Sequence, residues 1–252
     1  MFSNEPIVAD EPQVHGASFE LTDRTTMKNH IEIWRAFCER MRIAESGVPL
    51  FDSAADGRVR TRTIGSMSRR DILCRSPQME RLVISEADRL IADWNDSQNM
   101  LDGLIYVMFI AGDEPVTPLY IGKTETYGRG KGNLSANIRN LATDRSKFAR
   151  WGDNYAYHIG DLSAVALPGH APEKANRKYQ DWARALFEQF PSEAPRLKQP
   201  VYFWTRAWSG QEIGVWPEFG PTRLTFLEYL MIGVASSAFP DTLLNREGRN
   251  RG

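Results

Sequence analysis

Cysteine and histidine are scarce in this chain of 252 residues. Two cysteines, Cys38 and Cys74, and four histidines leave no disulfide framework and no zinc cluster to expect. So few cysteines also fit a reducing, cytoplasmic setting. Long apolar runs are lacking too. Stretches such as Leu104–Gly112 are too short to span a bilayer, so no membrane partner is expected. No basic segment followed by an apolar one opens the chain, so no export leader is expected. Aromatic residues, by contrast, are plentiful. Twelve Phe, seven Trp and eight Tyr supply enough core material to exclude a wholly disordered chain. The length suits one large domain, or a compact core with a smaller N-terminal unit.

The net charge of -1 conceals segregation. Residues 57–82 hold seven arginines against Asp71 and Glu80, a local +5, and residues 123–150 reach the same value. Two basic segments in an otherwise acidic chain can form a basic face for nucleic acid, or can be solvated arginines. In Arg58-Val59-Arg60-Thr61-Arg62-Thr63-Ile64 the alternation predicts a strand with Arg58, Arg60 and Arg62 on one face, ~6.8 Å apart. Those three are candidate DNA-binding residues, as is Lys131 in the loop 128–133. An edge strand guarded by charge is the competing reading.

Residues 1–22 lack periodicity and read as a loose tail, and 23–100 as an N-terminal helical and basic unit. From Asp23 a helix is expected, with Met27, Ile31, Trp34, Cys38 and Met41 on one face. Residues 44–57 read as a loop, and Ser85 as the cap of a helix carrying Leu90, Ile91 and Trp94. After a linker at 95–102, Leu104–Ala111 reads as a buried strand, and Gly112–Pro115 as the turn into a second strand, Val116–Gly122. A short helix is expected near Leu134–Leu141, and a strand at Trp151–Ile159. Tyr179, Trp182, Ala183 and Leu186 trace an amphipathic helix. Val201–Trp208 reads as a strand and Thr222–Ser236 as the last helix.

Several chemical signals fail on inspection. Gly122-Lys123-Thr124 lacks the earlier glycine of a phosphate-binding P-loop, because Thr117 stands in that place. The glycines at 128–132 miss the dinucleotide spacing, and no serine-hydrolase or zincin motif occurs. Two signals remain. Tyr106 and Tyr120 would stand on adjacent strands of a hairpin, aimed at one spot or serving only as packing. Glu228 falls between Leu224, Met231 and Ala235 on the apolar face of the last helix. There it needs a cation: Arg139, Arg150, a lysine or a divalent metal.

Taken together, Leu104-Ile105-Tyr106, Tyr120-Ile121-Gly122-Lys123-Thr124, the downstream basic segment, Leu227-Glu228-Tyr229-Leu230 and Pro240 through Leu244-Asn245 resemble the GIY-YIG nuclease superfamily. The resemblance covers roughly Leu104 to Asn245. Leucine replaces the family's first glycine, with Gly103 one place earlier. It implies an α/β fold of the α+β type: a small, mainly antiparallel sheet flanked by helices over 101–252, with the N-terminal unit as an extension. The implied reaction is hydrolysis of DNA phosphodiester bonds with Mg²⁺ or Mn²⁺, in restriction, defence or repair. In that reading Glu228 holds the metal and Tyr106 deprotonates the attacking water, with Lys123 and Arg139 as its cationic neighbours. Tyr120 orients water or phosphate, Arg139 stabilises the transition state, and Asn245 anchors the end of the Glu228 helix. Arg129, Arg150 and His158 are the alternates. A catalytically weak DNA-binding protein of the same fold is the rival from another class, and homodimerisation stays open.

Overall fold

The computed structural model describes residues 19–66, 69–128 and 132–250, with side chains from His30 onward. Arg129, Lys131 and most of the expected tail lie outside them. The first helix starts at Phe19, inside the expected tail, and runs as α1 (Phe19–Met41) with Trp34, Phe37, Cys38 and Met41 buried. The short α2 (Ile43–Ser46) and β1 (Val48–Pro49) interrupt the expected loop. Next comes a hairpin of β2 (Thr61–Ile64) and β3 (Arg70–Leu73). The helix expected from Ser85 is longer: α3 spans Pro77–Asn95. Its cap is Ser76, whose Oγ accepts the Met79 N–H at 2.9 Å, while Pro77 takes the first position, where no N–H is needed.

The hairpin of β4 (Leu101–Ile110) and β5 (Thr117–Glu125) follows. Two expectations fail after it. Residues 134–141 form turns instead of a helix. The Asn137 carbonyl, which a helix would give to Leu141, accepts the Ala149 N–H at 2.8 Å. Residues 151–159 form no strand either: turns through Gly152, Asp153 and Asn154 lead into α4 (His158–Ala166). Then come α5 (Arg177–Leu186), β6 (Tyr202–Ser209) and α6 (Leu224–Ala238).

The fold is mixed α/β, with a small antiparallel sheet of four strands flanked by helices. Strand order is β1-β6-β4-β5, so β4 lies inside and β5 at one edge. Alternation along the strands divides the interior into two cores. Leu104, Tyr106, Met108 and Phe203 face α3, α4 and α5, whereas Ile105, Val107, Ile121 and Trp204 face α1 and α6. The expected unit 23–100 shares both cores, because β1 pairs with β6, α1 packs on α6 and α3 packs on β6. No helix among the described residues is long and apolar enough to cross a membrane.

The arginine strand alternates only in part. Val59 is buried between exposed Arg58 and Arg60, but Thr61 and Thr63 are exposed like Arg62. Acids separate the cations: Arg60 lies 3.6 Å from Asp52, and Arg62 pairs with Asp153.

Candidate active site

The register of the hairpin sets two phenols side by side. Tyr106 stands opposite Gly122, and Tyr120 opposite Met108. Both side chains leave the same face of the sheet, with ring centroids 6.3 Å apart. Glycine at 122 leaves the room that the Tyr106 ring fills. Gly103 is needed for a different reason: at φ +151° its missing side chain lets β4 lie against the Thr124 carbonyl.

Tyr106 is 3% exposed and Tyr120 half-buried, in an aromatic shell of Trp151, Tyr179, Trp182 and Phe203. His158, the first residue of α4 and not a strand residue, lies fully buried at the centre. Its Nε2 is 3.4 Å from the Tyr106 hydroxyl, its Nδ1 2.7 Å from the Tyr179 hydroxyl, and its ring stacks on Trp182. Burial, then Lys178 and Arg150, hold His158 well below the usual histidine range, so the imidazole is neutral. A neutral ring donates from one nitrogen and accepts at the other, which links Tyr106, His158 and Tyr179 in a polar chain.

Neither phenol is an easy source of phenolate. Burial, then Tyr120 and Glu228, push Tyr106 well above the ordinary phenol value. Burial and Glu228 push Tyr120 up to about 12. The cation that works against this at both phenols is Arg150, and neither Lys123 nor Arg139 does so. Arg139 is exposed on the 134–141 turns. The expected arrangement of Lys123 and Arg139 beside Tyr106 is therefore replaced by Arg150, one of the alternates.

Arg150 is held by an unusual stretch of backbone. Phe148, Ala149 and Arg150 have φ of 36°, 49° and 74°, three successive non-glycine residues in a region that costs roughly 1–2 kcal/mol per residue. Packing and hydrogen bonds hold the stretch in place. Phe148 is buried beneath the Arg75 and Arg145 guanidinium groups, at 4.4 and 5.1 Å from its ring centroid. The Ala149 carbonyl accepts the Thr124 hydroxyl at 3.0 Å, which joins the turn to β5. Arg75, only 6% exposed, donates to the Trp151 carbonyl at 2.7 Å and pairs with Asp153 at 2.6 Å and Glu80 at 2.9 Å. Strain of this kind, locked from several sides, collects at functional sites.

Glu228 lies at the rim of the second core, half-buried, while Leu224, Met231 and Ala235 face fully inward. Neither Arg139 nor Arg150 pairs with it. Burial, then Glu125 and Glu247, raise its carboxyl above the usual range, against the Lys123 charge and backbone N–H. The Lys123 ammonium itself goes to Glu125 at 2.5 Å. A cavity of about 260 Å³ is lined by Lys123, Glu125, Ser135, Asn137 and Arg150. Among the described residues no group of three or more His, Cys, Asp or Glu assembles to hold a metal. A hard cation held by Glu228 would draw further ligands from water and phosphate oxygens, which is ordinary chemistry for Mg²⁺.

Asn245 clasps β5 and not the end of α6. Its Oδ1 accepts the Ile121 N–H at 3.0 Å and its Nδ2 donates to the Ile121 carbonyl at 2.8 Å. With the Leu244 N–H on the Leu119 carbonyl at 2.7 Å, the chain after α6 covers the open edge of β5.

The structure thus brings Tyr106, Tyr120, His158 and Arg150 together, with Lys123 and Glu228 across the edge strand. It leaves Arg139 outside, Arg62 on β2, and Arg58 and Arg60 in the segment leading into β2. Sequence reasoning missed Lys178, whose ammonium donates to the Tyr120 hydroxyl at 3.2 Å. Its signal was a lysine directly beside the apolar stripe of Tyr179 and Trp182. No protein-family model, curated protein or solved structure matches this chain.

Proposed function

We propose that the protein is a metal-dependent endonuclease of the GIY-YIG type, acting on DNA phosphodiester bonds. The observation that carries this reading is electrostatic. Two adjacent phenols on the central and edge strands both feel one arginine, Arg150, and one carboxylate, Glu228. These are the residue types that in-line hydrolysis of a phosphodiester calls for.

Glu228 would hold one Mg²⁺ or Mn²⁺, which when bound supplies Lewis-acid polarisation of a phosphate oxygen. Arg150 stabilises the charge that gathers on the phosphorane, in the role expected of Arg139. Tyr106 acts as base without becoming a phenolate. It takes a proton from the attacking water while its own passes to Nε2 of His158, and the Tyr179 hydroxyl then accepts from Nδ1–H. The neutral imidazole leaves one ring nitrogen open to accept the phenol proton. Tyr120, nearer the surface, orients water or phosphate through its hydroxyl.

The DNA partner is supported by the basic segments at 57–82 and 123–150. The rival, a DNA-binding protein without turnover, predicts binding alone. Purified protein incubated with supercoiled plasmid, linear duplex and single strands, with and without Mg²⁺ or Mn²⁺, separates the two. Metal-dependent nicking lost in Tyr106→Phe supports the nuclease. Binding with no cleavage under any metal condition sinks it.

A further inference from the structure

We infer that Lys178 is a positioning residue for Tyr120: its ammonium, seated among three aromatic rings, occupies the phenol oxygen as acceptor and so turns the Tyr120 O–H outward as a donor. The inference stands on geometry. Lys178 Nζ lies 3.2 Å from the Tyr120 hydroxyl oxygen, and 4.5, 5.3 and 5.3 Å from the ring centroids of Tyr120, Tyr179 and Trp182. An ammonium has donors only, whereas a phenol has one donor and acceptor lone pairs. With Nζ–H on the oxygen, the phenol proton must point elsewhere. That leaves one donor fixed toward whatever meets Tyr120 from outside.

The lysine is held here among aromatic rings without an ion pair among the described residues. The ring faces replace part of its lost hydration. The charges that face it come from every neighbouring element: Arg150 from the strained turn, Asp161 from α4, and Arg246 and Glu247 from the C-terminal segment. Burial, followed by Arg150, lowers Lys178 to about 8. Above that pH the amine becomes an acceptor, and the Tyr120 O–H can turn inward to it. Lys178 is thereby a proton-dependent setting of Tyr120's polarity. That the outward donor meets a phosphate oxygen or its water rests on the nuclease reading, but the lysine–phenol coupling does not.

The test uses the full chain labelled with ¹³C at tyrosine Cζ, the Tyr120 resonance being assigned with Tyr120→Phe. In a titration from pH 6.5 to 9.5 the Tyr120 signal should move with a midpoint near the Lys178 value of about 8, well before its own ionisation. The step should vanish in Lys178→Met. It should vanish in Lys178→Arg too, with the low-pH position retained because arginine stays charged. No step in the wild-type protein, or the same step in Lys178→Met, overturns the inference. If Lys178→Met fails to fold, Lys178→Arg decides alone: an unchanged step there is equally fatal. In cleavage assays the wild-type kcat should fall above pH 8 while that of Lys178→Arg does not. A protein that cuts no DNA overturns the nuclease reading and leaves the Cζ titration to judge Lys178.

Discussion

The ring of Tyr106 lies across the backbone of Gly122 on the neighbouring strand. A methyl group at Gly122 would stand 2.6 Å from the ring and 2.7 Å from the hydroxyl oxygen. The ring cannot easily give way, because Trp151, His158 and Phe203 pack around it. Gly122→Ala should therefore destabilise the fold by about 1–3 kcal/mol, as overpacking of a tight core does. It should also abolish nicking by displacing the hydroxyl from His158. Urea unfolding checks the first effect and a plasmid assay the second. A variant as stable and active as wild type would mean that the close approach has no consequence.

Arg150 and Arg139 offer a direct comparison. Arg150→Ala should lower kcat by a factor of ~100 or more, the scale of losing one transition-state donor. Arg139, exposed on its turns, should tolerate alanine with little change. The reverse result would restore the arginine expected from sequence.

Glu228 is expected to trade stability for function. Its folded carboxyl titrates above the unfolded one, chiefly through burial. The stabilisation of the protonated form is thus complete below the unfolded value near ~4.3 and is lost as pH rises through the folded one. At pH 7 Glu228→Gln should melt at the same temperature as wild type or higher, yet lose metal-dependent cleavage. Added Mg²⁺ should raise the wild-type Tm only. Thermal scans at pH 4 and pH 7, with and without metal, test all three points.

His158 should make the fold acid-sensitive. The unfolded histidine takes up a proton near pH ~6.5, whereas the buried, folded one remains neutral. As pH falls below ~6.5 the unfolded state binds the extra proton, so stability declines until the folded value is reached. Relative to His158→Gln, the wild type should lose up to about 1.4 kcal/mol per pH unit in that window. Parallel stability curves for the two proteins would contradict a neutral, buried His158.

Arg75 ties the arginine-rich segment to the site through Asp153, Glu80 and the Trp151 carbonyl. Removing a buried partner leaves the other charge uncompensated, so Arg75→Ala should cost about 3–5 kcal/mol by chemical denaturation. A loss below 1 kcal/mol would show that Asp153 is satisfied without it.

Local patterns in the sequence were enough for the β4–β5 hairpin, the amphipathic α5, β6 and α6. In each, the spacing of apolar residues or a turn at Gly112–Pro115 decides the backbone within a few residues. The placing of Tyr106 and Tyr120 side by side on that hairpin was legible for the same reason. The helix expected at 134–141 and the strand at 151–159 were not, because those backbones are decided by distant partners. Asn137 gives its carbonyl to Ala149, and Phe148–Arg150 keep a left-handed path only under Arg75, Arg145 and Thr124. Which arginine reaches the phenols depends on that path, so Arg150 could not be chosen over Arg139 from spacing. Lys178 shows the same limit, since its neighbours Tyr120 and Trp182 meet only when α5 packs on the sheet. Periodicity is a property of adjacent residues, whereas a site is made of side chains that only the packed tertiary structure brings within hydrogen-bonding distance.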